Sequence, residues 1–411
     1  MRPGRIVVLN DIAVPKGGAT ALALASARAF RERGEAVTYL CGDEGRNPEL
    51  AALGVDLVGL GSARLTSLSP GRAMVSGLYN REARALVERW IAAHDTPDTV
   101  YHLHGWAQIL SPSVFAALRP VLPRTLLSAH DFFLACPNGA YAFLKSGAVC
   151  PLTPLSPACI RADCDRRSYP HKLWRVARQA VYRNLFDVRR SPPVLAIHEA
   201  MRPFLMRGAI PDAAIQTLPN PVRPWSDTRI RAEDNRGFLF IGRLEDTKGP
   251  DLACAAARAA GQTLTLVGDG VLRERLAAEY PEMRFLGQQP PAALPDIVRG
   301  HRALLMPSRY PEPYGLVATE ALWSGLPVIA ADTAFLAADI VDAEAGLAAP
   351  PRDTPRLAGA MRRIADDDLL CATMSRNAFE RTRHLGLGFD AWIDRLLASY
   401  AARLEAAALA A

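Results

Sequence analysis

Short apolar runs alternate with stretches of helical periodicity along almost the whole chain. RIVVLN (5–10) leads through a glycine turn into the alanine-rich stretch Ala19–Arg33, which predicts a strand followed by a helix. AVTYLC (36–41), DLVGL (56–60), TVYHLHG (99–105), RTLLSAH (124–130) and PVLAIH (193–198) predict further strands, with a helix over Asn80–His94 between two of them. A second set follows: GFLFIGRL (237–244), TLTLVGDG (263–270), MRFLG (283–287), RALLMPS (302–308) and LPVIAAD (326–332). Strands buried on both faces read as continuous apolar runs, and the intervening helices supply the crossovers. The pattern predicts α/β architecture with two doubly wound parallel sheets, Rossmann-like domains over 1–212 and 213–387. Pro219, Pro221 and Pro224 read as the linker between them, and the stretch from Leu385 to Ala411 as helical.

Composition narrows the picture. At 411 residues the chain exceeds one ordinary core. No apolar run approaches the ~20 residues of a membrane span, and the first residues do not form a secretory signal, so a cytoplasmic location is expected. The net charge of +6 permits attraction to anionic substrates or lipid surfaces without requiring it. It is too small for a nucleic-acid binder, and no recognition motif is present.

Candidate chemistry gathers at predicted strand ends, where open α/β sheets bind ligands. FLFIGRLEDTKG places the cations Arg243 and Lys248 past one such end. They read either as solvated loop charges or as phosphate ligands, Arg forking onto oxygens and Lys adding a point charge. RYPEPYGLVATEALWSG reads as a turn and a helix of about three turns ending at Gly325. The amides of Gly315, Leu316 and Val317 then point out of the helix start and suit an anion. Glu320, one turn in, is placed to accept from a vicinal diol, and Glu312 to reach another part of the same ligand. Alternatively, both carboxylates only favour the positive end of the helix, worth about 0.3–1 kcal/mol each.

GRLEDTKG, LVGDG and EPYGLVATEALWSGLPVIA, in that order, resemble the retaining GT-B glycosyltransferases of family four, glycosyl transferases group 1. Seven residues separate Glu312 from Glu320, matching that family's E-x7-E signature. The resemblance covers nearly the whole chain and is strongest over 237–350. It implies a donor site in the second domain: Arg243, Lys248 and amides near Gly315, Leu316 and Val317 on the diphosphate, Glu320 on the ribose, Glu312 on the sugar. Gly17 and Gly18, in PKGGAT, match the family's glycine loop near donor phosphate and acceptor; the residues alone read equally as a βα turn, and the P-loop spacing is absent. His130 and Asp131 match the family's His-Asp, which puts His130 opposite the reacting sugar carbon. His102 and His104 share one strand face; His104 reads as acceptor-side or structural, and His102 as packing. The first domain would hold the acceptor, and the C-terminal helix, 388–411, would pack back on it.

The implied reaction moves a hexose from a nucleotide diphosphate sugar to a glycan or lipid-linked acceptor, with retention and without a catalytic metal or other cofactor. No metal-type DxD stands at a strand end, so the catalytic set is His130, Glu312, Arg243 and Lys248, the cations and helix amides stabilising the leaving diphosphate. Cell-surface polysaccharide or glycolipid synthesis is the expected setting. A nucleotide-sugar epimerase of the same fold and a non-catalytic nucleotide-sugar-binding relative are the alternatives.

Two features stand apart. Cys136, Cys150, Cys159 and Cys164 cluster in sequence, and three readings stay open: a structural zinc site, free thiols, or disulfides. CDRRSYPHKLWRVARQAVYRNLFDVRR (164–190) reads as a basic amphipathic helix, either solvated on its basic face or associating with an anionic membrane at its inner face.

Overall fold

The computed structural model describes residues 1–15 and 17–409, so Lys16 of the PKGG turn and the end of the helix expected over 388–411 lie outside the described residues. The chain divides into two compact units: Met1–Tyr141, Pro151–Leu218 and Asp390–Ala411 form the first, Ala142–Cys150 and Pro219–Phe389 the second.

The first unit carries seven parallel strands: β1 (Arg5–Asn10), β2 (Val37–Cys41), β3 (Asp56–Gly59), β4 (Thr99–Leu103), β5 (Thr125–Ala129), β6 (Val194–Ala196) and β7 (Ile215–Thr217). Their order is β3-β2-β1-β4-β5-β6-β7. β2 and β4, fully buried, flank β1, with Ile6 opposite Val37 and Val100. Strand order reverses between β1 and β4, which puts the ligand crevice of such a sheet beyond their carboxyl ends. The edge strand β7, absent from the predicted strands, lies just ahead of the prolines read as the linker: Ile215–Thr217 pairs with Val194–Ala196.

The second unit has six parallel strands: β8 (Gly237–Ile241), β9 (Leu264–Val267), β10 (Arg284–Gly287), β11 (His301–Met306), β12 (Val328–Ala331) and β13 (Gly346–Ala349). They run β10-β9-β8-β11-β12-β13, reversing between β8 and β11. Phe238, Leu239, Leu266, Leu304, Leu305, Val328 and Ile329 form the centre of a core covered by helices on both faces. β9 ends in a turn that tolerates only glycine at Gly268: its φ is 129°, and a Cβ there would stand 2.0 Å from the Gly242 carbonyl oxygen.

The helix after β11 is shorter than its pattern suggests. It spans Leu316–Trp323, eight residues, and its last turn closes on Ser324, whose hydroxyl donates to the Glu320 carbonyl (2.8 Å). Gly325 then takes φ 83° and turns the chain into β12. No helix among the described residues is long and apolar enough to cross a membrane.

Candidate functional site

In the second unit, the carboxyl ends of β8 and β11 bring charged groups together. β11 delivers Ser308 and the turn RYPEPYG; the loop after β8 delivers Lys248. The Lys248 ammonium lies 2.5 Å from Glu312 Oε1, and the Ser308 hydroxyl donates to Glu312 Oε2 at 2.6 Å. The Tyr310 ring stands 5.7 Å from Lys248 Nζ. Burial alone would lower the Lys248 pKa, but Glu312 and Tyr310 outweigh it and hold the ammonium above its ordinary range. Burial alone would raise the Glu312 carboxyl; Lys248 and the Ser308 hydroxyl keep it below the usual value, so the pair is ionised at neutral pH. Arg309 reinforces the loop, its guanidinium on Asp251 and its amide donating to the Thr247 carbonyl (2.9 Å).

Gly315 begins the helix in the left-handed region, φ 80°, where an added Cβ would also meet Met306 Sδ at 2.8 Å. The amides of Gly315, Leu316 and Val317 precede the first helical hydrogen bond, from Ala318 N–H to the Gly315 carbonyl (2.9 Å). Glu320 follows one turn later. Burial pushes its carboxyl up to about 7, and Arg223 opposes the shift. Its side chain is half-buried, and no side-chain hydrogen bond to this carboxylate occurs among the described residues. Arg243, past β8, is largely exposed and pairs with Glu245 at 2.8 Å. The structure therefore joins Lys248 directly to Glu312 and holds Arg243 in a separate pair. Ser308, Tyr310 and Arg223 went unread in the sequence; only the position of Ser308 at the tip of a strand hinted at it.

A separate cavity of about 600 Å³ opens at the opposite, amino ends of these strands, lined in part by Gly237, Thr263, Arg284 and His301. None of the residues singled out in the sequence lines it.

In the first unit, Gly17 caps the helix Gly18–Glu32 with φ 88°. Asp11, just past β1, is buried and accepts from the amides of Gln108 (2.8 Å), Ile109 (2.8 Å) and Leu110 (2.9 Å). Burial raises its pKa against those bonds and the nearby Arg178. Nothing in the residue pattern marks this buried acid beyond its place at a strand end. His130 follows β5, its pKa lowered by burial to about 4. Asp131 beside it is exposed at its outer edge, yet the surrounding protein raises it to about 6. His104 lies 3.1 Å from His130 and 3.1 Å from His102. His102, read as packing, is indeed fully buried, but both its ring nitrogens are hydrogen-bonded.

The stretch 164–190 corrects a simple amphipathic reading. Its helix, Tyr169–Leu185, turns Lys172 and Arg178 inward while Leu173 stays exposed. Arg178 donates to the Ala107 carbonyl (2.9 Å) and lies over the rings of Phe133 (4.8 Å) and Trp174 (5.3 Å). Aromatic faces stabilise a cation that water would otherwise hold. Lys172 points at thiols, its ammonium 3.5 Å from Cys159 Sγ, while Asn138 bridges Cys136 (3.2 Å) and Cys164 (3.3 Å). Among the described residues no group of three or more His, Cys, Asp or Glu is arranged to hold a metal ion, and no cysteine is in a disulfide. The Lys172 ammonium thus stands beside Cys159, one of the four cysteines, Cys136, Cys150, Cys159 and Cys164, for which a structural zinc site, free thiols and disulfides were the open readings.

Residues 225–381 match the family described as glycosyl transferases group 1. That segment belongs to the glycosyl transferases group 1 family. It contains Arg243, Lys248, Glu312, Gly315, Leu316, Val317 and Glu320, whereas Gly17, Gly18 and His130 lie outside it. A glycogen synthase of Mycobacterium tuberculosis is 32% identical over 155 residues, 35% of this chain and 37% of that protein. The chain spans less than half the length of the curated relatives it matches. The fold extends further than the sequence match. Sucrose-phosphate synthase from Thermosynechococcus elongatus superposes with a TM-score of 0.70 at 19% identity, covering 98% of this chain and 99% of that one. Anabaena HepE, solved in complex with UDP, gives 0.65 at 17% identity, covering 97% and 100%. The glycosyl transferases group 1 segment therefore sits in a chain with the GT-B fold, two Rossmann-like sheets of seven and six parallel strands.

Proposed function

We propose that the chain is a retaining glycosyltransferase that moves a hexose from a nucleotide diphosphate sugar to an acceptor hydroxyl without a catalytic metal. The observation that carries this reading is the second unit's charge arrangement: an ionised Lys248–Glu312 pair and the first-turn amides of a glycine-started helix, followed by a carboxylate, Glu320, that makes no side-chain hydrogen bond among the described residues. In this reading the diphosphate of the donor meets Lys248, Arg243 and the amides of Gly315, Leu316 and Val317. Glu320 accepts from the ribose hydroxyls, and that bonding lowers its raised pKa, since hydrogen bonds to a carboxylate favour the charged form. Glu312 orients the sugar while Lys248 remains its counter-charge. As the sugar departs, negative charge grows on the diphosphate, and preorganised cations and amides stabilise it. His130, from the first unit, faces the sugar carbon, and Gly17 and Gly18 let backbone approach the substrates.

The acceptor is proposed to be a glycan or lipid-linked sugar in surface polysaccharide or glycolipid synthesis, reached from the cytoplasmic side. Support comes from the first unit, where Met74, Val75, Tyr169 and Leu173 are exposed beside Arg72, Arg166 and Arg167. Trp174 ties the two helices that carry them by donating to the Met74 carbonyl (3.0 Å). Exposed apolar side chains with exposed cations near them in sequence suit an anionic lipid surface. The test is product analysis with a panel of nucleotide sugars and carbohydrate acceptors. Acceptor-dependent release of nucleoside diphosphate, abolished by Lys248→Ala, is expected. Conversion of the nucleotide sugar without acceptor would overturn transfer in favour of epimerisation.

A further inference from the structure

Three histidines, a serine and a tyrosine of the first unit form one hydrogen-bonded chain. His130 Nε2 lies 3.1 Å from His104 Nδ1, and His104 Nε2 lies 3.1 Å from His102 Nδ1. His102 Nδ1 is also 2.7 Å from the Tyr400 hydroxyl, and its Nε2 is 2.9 Å from Ser128 Oγ. The rings are packed face to face or tilted: His104 and His130 stack at 5.3 Å and 20°, His102 and His104 meet at 4.0 Å and 44°. β4 supplies His102, and His104 follows two residues on, just past the end of the strand. β5 supplies Ser128 because Leu103 pairs with Leu127, and the C-terminal helix Phe389–Leu409 supplies Tyr400.

The protons of this chain can be assigned. Burial lowers all three imidazoles, His102 to about 3 and His130 to about 4, so each ring is neutral and has one N–H and one lone pair. Two lone pairs, or two N–H groups, do not face each other across a hydrogen bond. Burial also keeps the Tyr400 phenol protonated, and His102 Nδ1 is its hydrogen-bond partner. A buried hydroxyl donates where a lone pair is within reach, because leaving the donor unmade costs about 1–3 kcal/mol. Tyr400 therefore donates to His102 Nδ1. His102 carries its proton on Nε2 and donates to Ser128. His104 Nε2 faces the same His102 Nδ1 lone pair in a longer, bent contact that shares this acceptor with Tyr400; a second lone pair would repel it there, so Nε2 carries the proton, which leaves His104 Nδ1 as an acceptor. His130 must then donate from Nε2.

We propose that Tyr400, His102 and His104 are positioning residues that set His130 in the tautomer protonated on Nε2, leaving Nδ1 as the acceptor for a substrate hydroxyl. The inference rests on the reading of His130 as the group facing the transferred sugar, but the tautomer itself is a property of the free protein. One phenol proton, on a helix 298 residues away in sequence from His102, orders three rings.

The test uses the full chain labelled with ¹⁵N-histidine and long-range ¹H–¹⁵N correlation spectra, with His130 and His102 assigned by single His→Gln replacements. The expected spectrum shows both residues protonated on Nε2. Tyr400→Phe keeps the ring packing against Phe30 and removes only the donor. It should leave His102 and His130 as mixtures of both tautomers and lower kcat about three- to tenfold at an unchanged donor KM. An Nδ1-protonated His130 in the wild type overturns the proposal, and that result does not depend on how the variant folds. Unaltered tautomers in Tyr400→Phe, or altered tautomers with unaltered kcat, overturn it too. If the wild type transfers no sugar from any donor, the proposed function falls, while the spectrum still decides the relay.

Discussion

Replacing Lys248 by Met separates the electrostatic account of the donor site from a merely structural one. Glu312 has 10% of its side chain exposed and Lys248 24%, so the pair is largely withdrawn from water. Removing one partner of a buried pair costs about 3–5 kcal/mol, because the other charge is left without compensation. The partial exposure of Lys248 and the retained Ser308 hydroxyl put the expectation at the lower end, about 3 kcal/mol for the second unit. For a unit of this size that corresponds to a fall of about 6–12 °C in its melting midpoint. The loss should depend on pH. In the wild type the folded Glu312 pKa lies below its ordinary 4.5, so its contribution is full above pH 4.5 and is lost as pH falls through the folded value. In the variant, desolvation dominates and the folded pKa moves above 4.5; the penalty is full at pH 7 and fades towards pH 4. Hydrogen exchange of β8 and β11 peptides at both pH values isolates this unit from the first. A double variant with Glu312→Gln should recover most of the loss. A loss below about 1 kcal/mol at pH 7, or one equally large at pH 4, would refute the reasoning.

Other outcomes follow from single observations. Glu320→Gln should stabilise the second unit by about 1–3 kcal/mol at pH 8 and by nothing at pH 4, because the raised wild-type pKa of about 7 makes folding less favourable as pH climbs from 4.5 past 7; denaturant titrations at the two pH values check it. The same variant should weaken donor binding, which a thermal-shift titration reads. Gly268→Ala combines left-handed strain with a backbone clash and should cost at least about 3 kcal/mol or yield insoluble protein; an unchanged melting midpoint would contradict the assigned turn. Chelator treatment should leave the melting midpoint unmoved, since Lys172 occupies the neighbourhood of Cys159 and Cys164; a metal-dependent midpoint with stoichiometric zinc would establish the metal reading instead.

The central strands were legible because parallel strands buried on both faces leave unbroken apolar runs, as in RIVVLN and RALLMPS. Two edge strands were not. Ile215–Thr217 is three residues long and runs into prolines, and Gly346–Ala349 has no β-branched side chain, so neither carries a strand signal. The donor-side residues were legible because local spacing holds them: Lys248 and Glu312 flank adjacent strand ends, and Glu320 follows a glycine-started helix. Their pairing was not, because nothing local says that Lys248 closes on Glu312 while Arg243 turns to Glu245. The i, i+2 spacing put His102 and His104 on one face, but the partners that give them a role, Ser128 and Tyr400, come from strand register and from the far end of the chain. Lys172 and Arg178 mislead because a cation is read as surface, while aromatic faces and thiols here let it be buried.

The central claim is that the second unit grips a nucleoside diphosphate through Lys248 and the helix start at Gly315. Isothermal titration of the full chain with UDP, GDP and ADP tests it most directly. The account expects one of them to bind and Lys248→Ala to weaken that binding at least about tenfold, a loss of 1.4 kcal/mol or more. Binding of none, or undiminished binding by the folded variant, would contradict it.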